Sequence, residues 1–138
     1  MCDAKAIAAK DWDKITETTR SAVQKMLGFE IKHVGVNCAD ADEAMAVAKK
    51  FSALFGWPVK DGNSSTFSGT AIEAMKAPYL GTHGHIAIGT TSCVRAKAYL
   101  ESIGFEFAEE TAKFKGDKLN AIYLKDEIAG YAIHLVNK

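Results

Sequence analysis

Cysteine is scarce and unpatterned: Cys2, Cys38 and Cys93 are odd in number and form no CxxC pair. A disulfide framework needs an even set and a thiolate zinc site needs paired spacings. Both are therefore excluded, and a reducing, cytoplasmic setting is expected. A surplus of one charge is also missing, since 17 Lys and Arg residues balance 17 Asp and Glu residues. The basic residues are scattered, with no stripe of interleaved aromatics, which argues against nucleic acid or an anionic membrane surface as a partner. No apolar run approaches transmembrane length, and no secretory h-region follows the start. Gly81-Thr82-His83-Gly84 lacks the lysine and the following helix of a phosphate loop. What is present is a chain of 138 residues, 48% hydrophobic and 25% charged, which suits one soluble domain with a real core.

Periodicity divides the chain into elements. Trp12, Ile15, Thr19, Val23 and Met26 recur at helical spacing between Asp11, a cap, and Gly28, a stop, so an amphipathic helix is expected over Asp11 to Leu27. Phe29 to Cys38 changes to a two-residue period, with Phe29, Ile31, His33, Gly35 and Asn37 on one face. Asp40 followed by Glu43 is a capping box that opens a helix with Ala44, Val47, Ala48, Phe51, Leu54 and Phe55 on one side. Gly56 closes it. Short strands follow around Asp61-Gly62-Asn63, then another over Thr70 to Lys76. The order then recurs. A strand is expected over Gly84 to Gly89, and a helix capped by Ser92 runs to Ile103. Further strands are expected over Phe105 to Phe114, Leu119 to Lys125 and Ala129 to Val136.

The recurrence is residue by residue. His33-Val34-Gly35-Val36-Asn37 matches His85-Ile86-Ala87-Ile88-Gly89, and Ala71-Ile72-Glu73-Ala74-Met75 matches Ala132-Ile133-His134-Leu135-Val136. Leu54-Phe55-Gly56-Trp57 matches Ser102-Ile103-Gly104-Phe105 between them. This is an internal duplication. The fold class expected is α+β, with paired βαβββ modules forming a cup-shaped mixed sheet plus an extra N-terminal helix. The domain organisation expected is 1–28 for that helix and 29–138 for the two modules, 29–80 and 81–138.

Side chains alternate along a strand, so parity assigns direction. Val34, Val36, Ile86 and Ile88 belong under the helices, which turns His33 and His85 to the opposite face. Ile72 and Ile133 do the same for Glu73 and His134. Three imidazoles and a carboxylate converging on one point suit a divalent transition metal such as Zn, Ni, Fe, Co or Mn. His83 shares the parity of His85, but His85 heads the repeated apolar strand. Weaker candidates are Asn37, Asn63, Ser64 and Tyr131 for substrate binding, with Tyr123 and Ser65 beside them. A thiol at a helix start is a candidate nucleophile, which singles out Cys93, although a plain packing role is the simpler expectation.

At these residues the chain resembles the vicinal-oxygen-chelate superfamily, which includes glyoxalase I, extradiol dioxygenases and fosfomycin-resistance proteins. The resemblance covers Phe29 to Lys138. It implies one metal ligand on the first and one on the last strand of each module, at His33, Glu73, His85 and His134. The chain departs at His134, where glutamate is commoner in that superfamily. A closer resemblance is to the C-terminal extension of bacterial bifunctional aldolases acting on 2-keto-3-deoxy-6-phosphogluconate and 4-hydroxy-2-oxoglutarate. It rests on Ile7 to Thr16, Gly62-Asn63-Ser64-Ser65 and Pro78-Tyr79-Leu80-Gly81. An aldolase barrel needs roughly 200 residues or more and a Schiff-base lysine, so this chain is not expected to be an aldolase by itself.

The resulting functional expectation is a metal-binding, glyoxalase-like domain that acts on or binds a small oxo- or hydroxy-acid. It implies an accessory place beside an aldolase barrel and a homodimer, with Glu73 as the candidate proton carrier. The alternative is a non-catalytic ligand-binding or oligomerisation module.

Overall fold

The computed structural model describes residues 3–138; Cys2, counted above, lies outside the described residues. A short helix not foreseen from periodicity, α1 (Ala4–Ala8), begins where the Asp3 carboxylate accepts from the Lys5 amide. Helix α2 (Trp12–Leu27) starts at Asp11, whose side chain accepts from the Lys14 amide, and ends where Gly28 turns left-handed at φ 60°. Such a turn suits a residue without Cβ.

Strand β1 (Glu30–Asn37) leads into α3 (Ala41–Phe55), followed by β2 (Val59–Asp61), β3 (Ser65–Ser68) and β4 (Ile72–Met75). The second half is β5 (Gly84–Thr90), α4 (Cys93–Ser102), β6 (Phe107–Lys115), β7 (Lys118–Leu124) and β8 (Tyr131–Asn137). The capping box at α3 forms: Asp40 accepts from the Glu43 amide, and the Glu43 carboxylate reaches back to the Ala39 amide.

All strands join one eight-stranded sheet in the order β2-β3-β4-β1-β5-β8-β7-β6. In each half the first strand lies parallel to the last, β1 with β4 and β5 with β8, and β1 joins β5 antiparallel at the centre. The two halves are thus related by an approximate two-fold between β1 and β5, as expected of a duplicated unit.

Both helices cover the same face. Ala44 and Ala48, fully buried one turn apart, let α3 lie close to Ala74. In the second half Cys93 and Ala96 of α4 pack with Leu119, Ile122 and Leu135, and Leu27 of α2 joins them. Each fully buried Leu or Ile here contributes about 1.5–3 kcal/mol. Leu54 and Phe55 of the expected core face of α3 are exposed instead, with the Phe55 ring 5.0 Å from that of Trp57. Phe105 likewise falls before β6 and stays partly exposed.

The alternation expected along β1 breaks at one point. The register shifts between Ile31 and His33: Ile31 sits opposite Ile88, while His33 sits opposite Ala87. A bulge at Lys32 adds one residue, so Ile31 and His33 face opposite sides. No helix among the described residues is long and apolar enough to cross a membrane.

Candidate metal centre

The helix-free face of the central strands is laid out in two adjacent rows. In the first, Glu73, Gly35, His85 and Ala132 are neighbours across β4, β1, β5 and β8. In the second, His33, Ala87, His134 and Tyr123 are neighbours across β1, β5, β8 and β7. In each row a small residue, Gly35 or Ala87, separates two of the larger side chains. The small residues, Gly35 and Ala87, are equivalent in the repeat, and their lack of bulk lets the four larger side chains lean together.

Gly35 is required by contact and not by its backbone angle. A Cβ there would lie 2.1 Å from Cε1 of His85, whose ring rests on the Gly35 backbone.

The donors form a tight cluster. His33 Nε2 is 3.0 Å from Glu73 Oε2, His85 Nε2 is 3.2 Å from the same oxygen, and the two nitrogens are 3.2 Å apart. Ligands held about 2.1 Å from one ion stand about 3.0 Å apart in octahedral and about 3.4 Å apart in tetrahedral geometry. His134 completes the set: one ring nitrogen from each of His33, His85 and His134 falls within a 4.8 Å group. Its Nδ1 lies 3.3 Å from the Leu135 carbonyl, while its Nε2 is buried without a protein partner. A buried unpaired nitrogen costs about 1–3 kcal/mol, and a metal ion would take up that lone pair. The donor set and the orphaned nitrogen therefore fit a divalent metal. The outer support is uneven: Ser65 Oγ donates to Glu73 Oε1 at 2.6 Å, whereas His85 Nδ1 has no partner.

The charges fit as well. Burial alone would raise the Glu73 pKa, but hydrogen bonds from His33, His85 and Ser65 outweigh it and hold the carboxyl well below its ordinary range. Glu73 is therefore an anion at neutral pH. Burial, reinforced by the neighbouring His85, pulls His134 down to about 4, so it is neutral with a free lone pair. Both are the protonation states that metal ligation requires.

A consequence for the metal-free protein follows from His134. Its unfolded form binds a proton near pH 6.5 and its folded form near 4, so the unfolded state holds more protons between these values. Stability is complete above about pH 6.5 and falls as pH drops toward 4, by about 3 kcal/mol from this residue. Urea unfolding of chelator-treated protein between these pH values, compared with His134→Gln, measures it. Equal slopes in the two proteins would contradict the assignment.

The remaining candidates are placed as follows. Asn37 is occupied elsewhere: its side chain donates to the Gly81 carbonyl at 2.8 Å and accepts from the Tyr79 amide at 3.2 Å, tying β1 to the 79–81 turn. Asn63 and Ser64 are exposed and line a cleft of about 430 Å³ with Ser65 and Phe67. Phe67 packs edge-on against His33 at 5.7 Å, so this cleft borders the cluster. Tyr131 lies against His83 at 5.7 Å, outside the cluster.

Tyr123 is the aromatic beside the donors, with its ring 4.7 Å from that of His134. Burial, with Tyr79 and Glu73 nearby, pushes its hydroxyl up to about 12. The signal for Tyr123 was its place in the strand preceding β8, but the cross-strand register that pairs it with His134 is not written in local periodicity. Cys93 is buried, donates from Sγ to the Asn120 carbonyl at 3.2 Å, and is raised to about 11 by burial. Its helix-start position does not make it a nucleophile.

No protein-family model and no curated protein matches the chain. Solved structures do match. Methylmalonyl-CoA epimerase from Mycobacterium tuberculosis superposes with a TM-score of 0.57 at 19% identity, over 81% of this chain and 89% of that one. A hypothetical protein from Bacillus halodurans C-125 gives 0.57 at 13% identity, over 80% and 95%. Streptomyces coelicolor methylmalonyl-CoA epimerase in complex with 2-nitronate-propionyl-CoA gives 0.56 at 17% identity, over 78% and 96%. Together with the strand order, these likenesses establish the fold as the paired-module, vicinal-oxygen-chelate type.

Proposed function

We propose that this chain binds one divalent transition metal through His33, Glu73, His85 and His134, and there binds and acts on a small oxo- or hydroxy-acid or its thioester. The observation that carries this reading is that one ring nitrogen each of His33, His85 and His134 lies within 4.8 Å of the others, with Glu73 Oε2 at 3.0 and 3.2 Å from His33 and His85 and His134 Nε2 buried without a partner. The methylmalonyl-CoA epimerases sharing the fold support the substrate class.

A metal held there would polarise ligand oxygens and stabilise negative charge developing on them. The chain's own residues do the rest. Ser65 orients Glu73 through Oε1, leaving Oε2 toward the cluster. Tyr123, raised to about 12, keeps its proton at neutral pH and presents a hydroxyl donor to an oxyanion. Phe67 and Tyr123 flank the donors with apolar surface and thin the water around them. Glu73 is the carboxylate of the donor set and the candidate proton carrier. In that role Oε2 would carry the proton while Ser65 holds Oε1.

The test is metal content after incubation with Zn, Ni, Mn or Fe(II) and removal of excess. About one equivalent of one metal is expected, and no retention of any of them overturns the reading. Turnover of a thioester such as methylmalonyl-CoA, or of methylglyoxal-glutathione adducts, then establishes an enzyme. Ser65→Ala is expected to weaken metal retention by about 10–100-fold, measured by competition with a chromophoric chelator. Unchanged affinity would leave Ser65 a packing residue.

A second reading, a non-catalytic module that holds an acid, is favoured because Glu73 is the one carboxylate among the four proposed donors, which leaves no second general base in the set. Calorimetric binding of pyruvate or oxoglutarate without turnover would select it. An accessory place beside an aldolase barrel rests only on the resemblance of Ile7 to Thr16, Gly62-Asn63-Ser64-Ser65 and Pro78-Tyr79-Leu80-Gly81.

A further inference from the structure

The two rows of the donor face continue outward beyond the cluster, and the duplication matches them position by position. From Glu73 the first row runs to Phe67 on β3 and Lys60 on β2. From His134 the second runs to Tyr123 on β7 and Ala108 on β6. Side chains at paired positions of adjacent strands share a face, so all four stand on the side of the donors. Phe67 and Tyr123 are equivalent and form two aromatic walls. Their rings lie 5.7 Å from that of His33 and 4.7 Å from that of His134. Past these walls the symmetry fails, because one half ends in an ammonium group and the other in a methyl group.

The clefts at the two outer ends differ in charge. That of the first half, about 430 Å³, is lined by Lys60 with Asn63, Ser64 and Thr70, and by no acidic residue among those described. Lys60 is exposed and forms no ion pair among the described residues. Lys76, a second cation beside Gly62, is already held by Asp61 at 2.9 Å and by the Gly62 carbonyl at 2.6 Å. The cleft of the second half, about 170 Å³, is lined by Ala108 and by the carboxylates of Glu110, Asp126 and Glu127. Its lysine, Lys125, is paired with Glu106 at 2.6 Å. An anion is therefore drawn to the first cleft and repelled by the second.

Lys60 rises from the sheet two strands away from Glu73, a separation of about 10 Å. We propose that the site takes an acid with an anionic group at each end. The oxo- or hydroxy-acid end meets the metal donors, the carbon chain crosses Phe67, and a distal carboxylate pairs with the Lys60 ammonium beside Asn63 and Ser64. A charge-assisted bond to an otherwise unpaired ammonium is the strong contact in this arrangement, while Phe67 gives the chain an apolar floor. The inference rests on the metal-binding reading and gives that site its substrate class, a dicarboxylic oxo- or hydroxy-acid of roughly five or six carbons, the length that spans the two strands when the lysine leans inward. Lys60 is then the residue that sets specificity, and the contrast with Ala108 fixes the direction in which the ligand lies.

The test is titration calorimetry on the full chain loaded with the metal it retains, wild type beside Lys60→Met. That change keeps a long stem at an exposed position and removes the charge, so the fold should survive. The probes are 2-oxoglutarate and 2-oxovalerate, which share a carbon chain and differ only at the far end, carboxylate against methyl. The wild type is expected to bind 2-oxoglutarate roughly 10-fold more tightly than 2-oxovalerate. In Lys60→Met the ratio is expected to fall to about one while metal content stays at the wild-type level. A metal-loaded wild type that binds the two acids equally, or binds neither, overturns the distal subsite and leaves the metal centre standing. A preference that survives in Lys60→Met overturns the assignment of Lys60. A wild type that retains no metal overturns the metal-binding reading and this inference with it.

Discussion

Replacing His33 by alanine is expected to abolish metal retention while leaving the chain folded. His33 is one corner of the triangle with Glu73 and His85 in which all separations are 3.0–3.2 Å. Removing it deletes one of four donors and one of the hydrogen bonds that hold Glu73 ionised. Loss of an outer-shell partner already costs about 10–100-fold in metal affinity, and loss of a direct ligand costs more. The fold should survive, because His33 lies on the helix-free face and belongs to neither apolar cluster. Metal content after dialysis, wild type beside variant, should drop from about one equivalent to a trace. A variant that still retains its equivalent would remove His33 from the ligand set.

The second large effect is expected at a residue with no side chain. In Gly35→Ala the new Cβ would meet the His85 ring, with Cε1 at 2.1 Å, Nδ1 at 2.3 Å and Nε2 at 2.5 Å. His85 is 3% exposed and has little room to withdraw. Either the ring or the strand must move, and overpacking of this kind costs about 1–3 kcal/mol. Because the displaced group is a donor, metal affinity should fall together with the unfolding midpoint. The equivalent residue of the second module, Ala87, already carries a Cβ opposite His33, so the two halves are not interchangeable here. Normal stability and normal metal content in Gly35→Ala would show that His85 does not need its present position.

Much of this architecture is legible in the sequence. The Asp11, Asp40 and Ser92 caps all form, each accepting from the amide three residues on. They were readable because a cap is a local device confined to one turn. The duplication was readable because equivalent strands bury equivalent residues. Three features were not. The bulge at Lys32 depends on how β1 pairs with β5, so strict alternation put Ile31 on the wrong face. Ser65 stood out only as a candidate substrate contact beside Asn63 and Ser64, although its hydroxyl holds Glu73, eight residues away on the next strand. Tyr123 reaches His134 only through the β7–β8 register.

The amino-acid sequence by itself determined the elements, their repetition and the parity that sends His33, Glu73, His85 and His134 to one side. These follow from periods of 2 and 3.6 residues and from capping chemistry, which act within a few positions of the chain. Only the tertiary structure decided that β1 and β5 meet antiparallel at the centre, which brings the four donors together over Gly35 and Ala87. That convergence depends on contacts between residues distant in sequence, whose geometry is set by sheet register.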